Sequence, residues 1–109
     1  DVLMVGVNSD DSVKKNKGKS RPIFPLGERL EVLQNINSID YLTSFPEEIP
    51  RKIISDLKPD VLIKGGDWKP QEVIGKKEVE QSGGTVIIIP YLKGRSTSEI
   101  IDKIVSSFT

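Results

Sequence analysis

VLIKGGDW, residues 61–68, is the most informative segment of this chain for both fold and function. Its first three residues predict a buried strand, and a cation, two glycines, a carboxylate and the only tryptophan follow at the carboxyl end. In an open α/β sheet, ligands bind just outside the carboxyl ends of the strands, and glycines there let a ligand approach the backbone. Asp67 can accept hydrogen bonds from sugar hydroxyls, and Trp68 can offer an aromatic face. The alternative is a strand that leads into a turn with a packed tryptophan.

Apolar runs and helical patterns alternate along the rest of the chain. Four apolar segments predict strands, at 2–7, 40–45, 61–63 and 85–89. Four segments with helical periodicity predict helices, at 26–39, 47–57, 76–81 and 96–108. Residues 8–11 predict a polar loop, and residues 14–25 the most mobile one. This alternation predicts βαβ units in a mostly parallel, doubly wound α/β sheet. Residues 1–109 are expected to form a single domain, since domains commonly run to ~100–150 residues.

Composition excludes several classes of function. Sixteen basic and sixteen acidic residues cancel, which argues against general nucleic-acid binding but is compatible with a local phosphate pocket. Without cysteine there is neither a disulfide framework nor a thiolate metal site, and a reducing cytoplasm is compatible. Without histidine the usual general base and the commonest metal ligand are missing. No apolar run approaches the ~20 residues of a membrane span, and none has the pattern of a signal peptide.

Two further segments are candidate phosphate sites. Ser96 and Glu99 predict a capping box at the start of the last helix, where free N–H groups, the dipole and the hydroxyls of Thr97 and Ser98 suit an anion. The alternative there is an ordinary helix cap. Lys17 and four other cations lie in the basic segment 14–21, which follows the first strand. The alternative for this segment is a solvated surface with no ligand. All three segments follow strands, so we expect them on one rim of the sheet.

Arg29 is unfavourable near a helix N-terminus, which indicates a buried ion pair or a ligand contact; the alternative is an exposed arginine. No Walker loop, Gly-x-Gly-x-x-Gly, nucleophile elbow or metal-ligand cluster is present. The candidate residues therefore fit phosphoryl or nucleotidyl transfer, in which the protein positions groups and stabilises charge.

Five motifs occur in order at characteristic spacing: Val7-Asn8-Ser9-Asp10, Lys17-Gly18-Lys19-Ser20-Arg21-Pro22, Glu28-Arg29, Lys64-Gly65-Gly66-Asp67-Trp68 and Gly94-Arg95-Ser96-Thr97-Ser98. Over essentially the whole chain they resemble the cytidylyltransferase-like nucleotidyltransferases. The nearest branch is the bacterial adenylyltransferase of D-glycero-β-D-manno-heptose 1-phosphate. The resemblance implies a Rossmann-like, three-layer α/β/α fold and the conversion of ATP and heptose 1-phosphate to ADP-heptose and pyrophosphate for the lipopolysaccharide inner core. Mg²⁺ would be bound with ATP. A cytoplasmic location, a fused or separate sugar kinase and a homo-oligomer are compatible with this family.

The resemblance also implies roles for individual residues. Lys17 would neutralise charge on the α-phosphate. The hydroxyls of residues 96–98 would hold the β- and γ-phosphates. The ribose and base would lie along Gly65, Asp67 and Trp68. Sugar phosphate, or the loop that covers it, would face Asn8, Asp10 and Arg21, and Arg29 would steady this loop or the triphosphate. Arg95 stands where the family has a hydrophobic residue.

One family motif is missing from this chain. The family's His-x-Gly-His follows its first, central strand, and this chain has no histidine. We therefore expect that strand and motif in a preceding segment, and little catalysis from residues 1–109 alone. Two alternatives to the adenylyltransferase are a cytidylyltransferase that uses CTP and an alcohol phosphate such as glycerol 3-phosphate, and a non-catalytic nucleotide-binding module.

Overall fold

The computed structural model describes residues 1–66 and 68–109. Helices and strands alternate along them: β1 Met4–Asn8, α1 Asp10–Lys17, α2 Leu26–Leu33, β2 Tyr41–Phe45, α3 Arg51–Leu57, β3 Val61–Gly65, a 3₁₀ helix Pro70–Glu72, α4 Lys76–Gln81, β4 Thr85–Ile89 and α5 Thr97–Phe108. The chain divides into two compact units, Asp1–Ile53 and Ile54–Thr109. Each unit contains one pair of parallel strands, so the predicted parallel α/β class is confirmed. A single domain over residues 1–109 stays a prediction.

The first unit is built on the pairing of β1 with β2. The register runs from Met4 opposite Tyr41 to Asn8 opposite Phe45. Ser9 N–H donates to the Phe45 carbonyl at 3.0 Å and extends the pairing by one bond past the carboxyl end of β1. Val7 and Phe45 are buried and form the apolar centre of this unit.

The prediction of a polar loop at residues 8–11 is wrong, because α1 already begins at Asp10. The Ser9 hydroxyl accepts a hydrogen bond from the Ser12 N–H at 3.3 Å, and two carboxylates occupy the first turn, where the helix dipole favours them. The predicted mobile segment is also partly helical. Lys14, Lys15 and Lys17 lie in the last turn of α1, where cations complement the carbonyl end of the dipole.

Two predicted helices are shorter than their apolar patterns. The helix predicted over 26–39 ends at Leu33, and two consecutive turns follow to Ile39. Asn35 donates its side-chain amide to the Glu31 carbonyl at 2.8 Å, a local bond that competes with continued helix. The helix predicted from residue 47 begins at Arg51, because Pro50 disfavours helical backbone at the residue before it.

The second unit is built on the pairing of β3 with β4, in register from Val61 opposite Thr85 to Gly65 opposite Ile89. Helix α4 packs against both strands and contributes Val79, which is 1% exposed; Val73 and Ile54 are buried with it. The prediction that residues 61–63 form a buried strand is wrong for one of its two faces. The alternate apolar residues of both strands are about half exposed, because α4 covers one face of a two-stranded sheet: Val61, Ile63, Ile87 and Ile89.

The last helix matches its prediction. Ser96 is the N-cap, and α5 then runs to Phe108 with several of its apolar side chains exposed. Among residues 1–66 and 68–109, no helix has both the length and the apolar content that crossing a membrane requires.

Candidate functional site

Arg29 joins three segments at the carboxyl end of β1. Its Nη1 donates to the Asn8 carbonyl at 3.0 Å, its Nε donates to the Phe24 carbonyl at 3.0 Å, and its Nη2 pairs with Asp10 Oδ1 at 2.7 Å. The planar guanidinium directs these donors in fixed directions, which suits one side chain for several acceptors. The ion pair is present but is not buried as expected, since the two side chains are 22% and 39% exposed. Through its bond to Phe24, Arg29 anchors the end of the segment that leads from α1 to α2.

The carboxylate of Asp10 has two partners. In addition to Arg29, its Oδ1 accepts the N–H of Leu26 at 2.9 Å, the first residue of α2. Pro25, the N-cap residue of α2, makes no side-chain cap bond, so Asp10 supplies an acceptor for this helix from a distant part of the chain. The sequence pattern did not indicate this contact, because the two residues are sixteen positions apart.

Lys17 and Arg21 flank the turn that follows α1. Lys17 is exposed at the last position of the helix, and Gly18 follows it with φ +98°, a backbone conformation that glycine adopts without strain. Gly18 accepts the Arg21 N–H on its carbonyl at 3.2 Å. The structure therefore places Lys17 at a defined helix end, whereas the sequence predicted a loop. The proposed roles of Lys17 and Arg21 toward phosphates stay predictions.

In the second unit, Trp68 folds back onto the end of β3. Its indole N–H donates to the Gly65 carbonyl at 3.0 Å, and Lys64 Nζ lies 5.4 Å from the centroid of its ring. This distance is within the range of a cation–π contact. The indole is nevertheless 42% exposed. Trp68 is thus both a packed turn residue and an accessible aromatic surface, so the two interpretations of VLIKGGDW are compatible. The prediction for Asp67 lies outside the described residues.

Gly66 lies beneath two aromatic rings. Its N–H donates to the Ile89 carbonyl at 2.9 Å, and its φ is +128°. A Cβ at this position would lie 2.7 Å from Trp68 Nε1 and 3.3 Å from Tyr91 Cζ. Sequence patterns did not indicate Tyr91, although its position two residues after β4 places it at the carboxyl end of a strand. Both rings therefore lie close to Gly66, a residue without a side chain.

Ser96 and Glu99 form the predicted capping box at the start of α5. Glu99 N–H donates to the Ser96 hydroxyl at 3.1 Å, and Ser96 N–H donates to the Glu99 carboxylate at 3.1 Å. The bond from the Ser96 backbone, followed by its hydroxyl, lowers the pKa of Glu99 below its ordinary value. Thr97 and Ser98 occupy the first turn of the twelve-residue helix, as expected for an anion-binding end.

The candidate residues are distributed over both units. The first carries Asn8, Asp10, Arg29, Lys17 and Arg21, and the second carries Gly65, Trp68 and the start of α5. Their convergence on one rim stays a prediction. Within residues 1–66 and 68–109, no three acidic or histidine side chains are grouped in a way that would hold a metal ion.

Parallel strands joined by helices, with glycines, an exposed aromatic residue and a capped helix start after the strands, define a parallel α/β protein of the kind that binds ligands at the carboxyl ends of its strands. A family model described as Cytidylyltransferase-like matches residues 1–103, and the chain belongs to this family.

Relatives and a solved structure agree with this assignment. The chain is 49% identical over 104 residues to the bifunctional protein HldE of Haemophilus influenzae (strain ATCC 51907 / DSM 11121 / KW20 / Rd), and 46% identical over 108 residues to that of Geobacter metallireducens. These matches cover 95% and 99% of this chain but 22% of each relative's length. The crystal structure of the lipopolysaccharide core biosynthesis protein from Thermoplasma volcanium GSS1 matches with TM-score 0.61 and 31% identity, covering 85% of this chain and 75% of that one.

Replacing Arg29 should loosen the first unit. Arg29→Lys keeps the charge but cannot direct donors to Asn8, Phe24 and Asp10 together. We expect the free energy of unfolding to fall by about 1–2 kcal/mol, a value reduced for the partial exposure of the pair. Chemical denaturation measures this, with Arg95→Lys in the second unit as the control. Equal, negligible effects of the two substitutions would contradict the anchoring role.

Adding a methyl group at Gly66 should displace the aromatic rings. Gly66→Ala meets both Trp68 and an unfavourable φ, so we expect a loss of about 1–3 kcal/mol in the free energy of unfolding. The emission of Trp68, the only tryptophan, should shift as its ring moves. Gly27→Ala is the control, because nothing lies within 4 Å of a Cβ there. An unshifted emission spectrum in Gly66→Ala would disprove the contact.

The capping box should make stability depend on pH. Because its folded-state pKa is lowered, Glu99 stabilises the fold above the unfolded pKa of a glutamate, ~4.3, and this contribution is lost as pH falls through the lowered folded value. Glu99→Gln cannot titrate, so the stability gap between wild type and variant should be widest near neutral pH and narrow in acid. Denaturant unfolding at several pH values measures it; a gap that stays constant would refute the linkage.

Proposed function

We propose that this chain is the nucleotide-binding part of an adenylyltransferase that transfers AMP from ATP to a heptose 1-phosphate. The observation that carries the proposal is the placement of an exposed tryptophan and a capped helix start after adjacent parallel strands, in a member of the Cytidylyltransferase-like family. An aromatic surface and a helix N-terminus suit the two chemically different ends of a nucleotide.

In the proposed complex, the base and ribose lie along Gly65, Asp67 and Trp68. The glycine leaves the backbone accessible, since no atom lies within 4 Å of a Cβ built at Gly65. The β- and γ-phosphates lie at the first turn of α5, near Ser96, Thr97 and Ser98. Hydroxyls and N–H groups there donate to phosphate oxygens without needing a charged side chain.

The chemical step is an in-line displacement. A phosphate oxygen of the sugar 1-phosphate forms a bond to the α-phosphorus of ATP, and the bond from that phosphorus to the oxygen bridging to the β-phosphorus breaks. Pyrophosphate leaves with the electron pair, and Lys17 offsets the negative charge that develops. Its exposure at the end of α1 leaves the ammonium group free to approach a ligand.

The sugar phosphate is assigned to the first unit. Asn8, Asp10 and Arg21 lie on or next to the segment that Arg29 anchors. Asp10 is already committed to Arg29 and Leu26, so its proposed part is to hold the segment in position. One relative supports a carbohydrate acceptor, the lipopolysaccharide core biosynthesis protein from Thermoplasma volcanium GSS1, because a lipopolysaccharide core is built from sugars.

Mg²⁺ is proposed to arrive bound to the phosphates of ATP, where it would neutralise charge on the pyrophosphate group. Location and partners follow from the substrates. ATP supply favours the cytoplasm, and a sugar kinase, fused or separate, is a compatible partner in making the sugar phosphate. A homo-oligomer is compatible with the proposal.

The test is pyrophosphate release by the full-length gene product with Mg²⁺, either ATP or CTP, and either heptose 1-phosphate or glycerol 3-phosphate. We expect release with ATP. Release only with CTP and glycerol 3-phosphate would indicate the cytidylyltransferase. Nucleotide binding without any release would indicate a non-catalytic module, and either result would reject the adenylyltransferase.

Substituting Lys17 should slow turnover strongly. Loss of a charge-stabilising donor costs on the order of 10²–10³ in kcat, so Lys17→Ala should fall in that range. Lys15→Ala is the matched control, because this lysine is also exposed on α1, two residues before Lys17. If both variants turn over like wild type, the basic segment is solvated surface.

A further inference from the structure

Tyr91 and Trp68 are two exposed aromatic residues beside Gly66, at the carboxyl ends of β3 and β4. Trp68 lies just past the end of β3 and Tyr91 two residues past the end of β4. A Cβ at Gly66 would contact both rings, so the two side chains approach each other over one backbone position. They remain 42% and 60% exposed. We call this surface, formed by Trp68 and Tyr91, the aromatic platform.

The platform is held from beneath. The Gly66 N–H is bonded to the Ile89 carbonyl, the indole N–H is bonded to the Gly65 carbonyl, and Lys64 Nζ lies near the indole ring. Gly66 itself is buried beneath the rings. Because these contacts hold the indole in place before a ligand arrives, little conformational entropy is lost when a ligand binds to it.

We propose that Tyr91 is a base-contacting residue, and that the aromatic platform selects a purine over a pyrimidine nucleotide. This inference rests on the proposed function and names the residue that determines its nucleotide preference. Any base can stack on an aromatic ring, whatever polar groups it carries. A larger contact area between base and rings gives a larger gain in binding free energy. A two-ring purine can cover Trp68 and reach Tyr91, whereas a one-ring pyrimidine covers Trp68 alone.

The expected signature is a selective loss. Tyr91→Ala should weaken ATP binding about tenfold, the lower part of the range for removing one base–aromatic stack, and should weaken CTP binding much less. Tyr91→Phe keeps the ring and should bind ATP like wild type. Tyr41→Ala removes a tyrosine of similar exposure, 59%, from β2 in the other unit and should change neither affinity.

The experiment measures dissociation constants of ATP and CTP for the full-length gene product and for each variant made in it. Equilibrium dialysis is the readout. Circular dichroism verifies that each variant is folded; if Tyr91→Ala is not, Tyr91→Leu replaces it, since it keeps apolar bulk but no ring.

The outcomes separate this inference from the proposed function. A smaller wild-type Kd for ATP than for CTP, with that preference lost in the variant without the ring, supports the platform. Equal losses for both nucleotides, unchanged binding, or no binding of either nucleotide by the wild type would overturn it. Failure of pyrophosphate release by the full-length gene product would reject the transferase and leave the binding result standing.

Discussion

The parallel register of β3 and β4 is the constraint on which the second unit depends. Gly65 lies opposite Ile89, and the bond from Gly66 N–H to the Ile89 carbonyl continues the pairing beyond the last residue of β3. Because both strands end at the same level, the residues that follow them must share the space beyond that edge. A shift of the strand register by one residue would also exchange the two faces of the strand. Such a shift would move the rings of Trp68 and Tyr91 away from Gly66.

Arg29 has a comparable role in the first unit. There the hydrogen bonds of one side chain, and not the register of two strands, hold distant segments together. The segment between α1 and α2 contains prolines and a glycine, so it has few backbone bonds with which to fix its course. One guanidinium bonds the Phe24 carbonyl near the end of this segment and the Asn8 carbonyl at the end of β1. It also pairs with the Asp10 carboxylate, which bonds the start of α2. The segment that carries Arg21 is thus fixed near its end by the bond from Arg29 to the Phe24 carbonyl.

Sequence patterns predicted the elements more accurately than their ends. The strand at 85–89, the helix at 76–81 and the Ser96 capping box were all predicted and are present, because each has a strong local pattern and a clear stop signal. The start of α1 was missed because Ser9 and the two aspartates resemble a loop as much as a helix cap. The helix predicted through residue 39 continued an apolar spacing that local side-chain bonds interrupt at Asn35.

The residues of the candidate site also divide into those that local patterns predicted and those that they did not. The residue types that suit a nucleotide, and the strand ends on which they lie, are local properties, so glycines 65 and 66, Trp68 and the start of α5 were recognisable from residue order. Long-range contacts are different: Asp10 bonds Leu26 across sixteen positions, and Tyr91 reaches the Gly66 backbone from the following strand. No local periodicity encodes such pairs, because they exist only once strand register and helix packing have brought distant backbone positions within bonding distance.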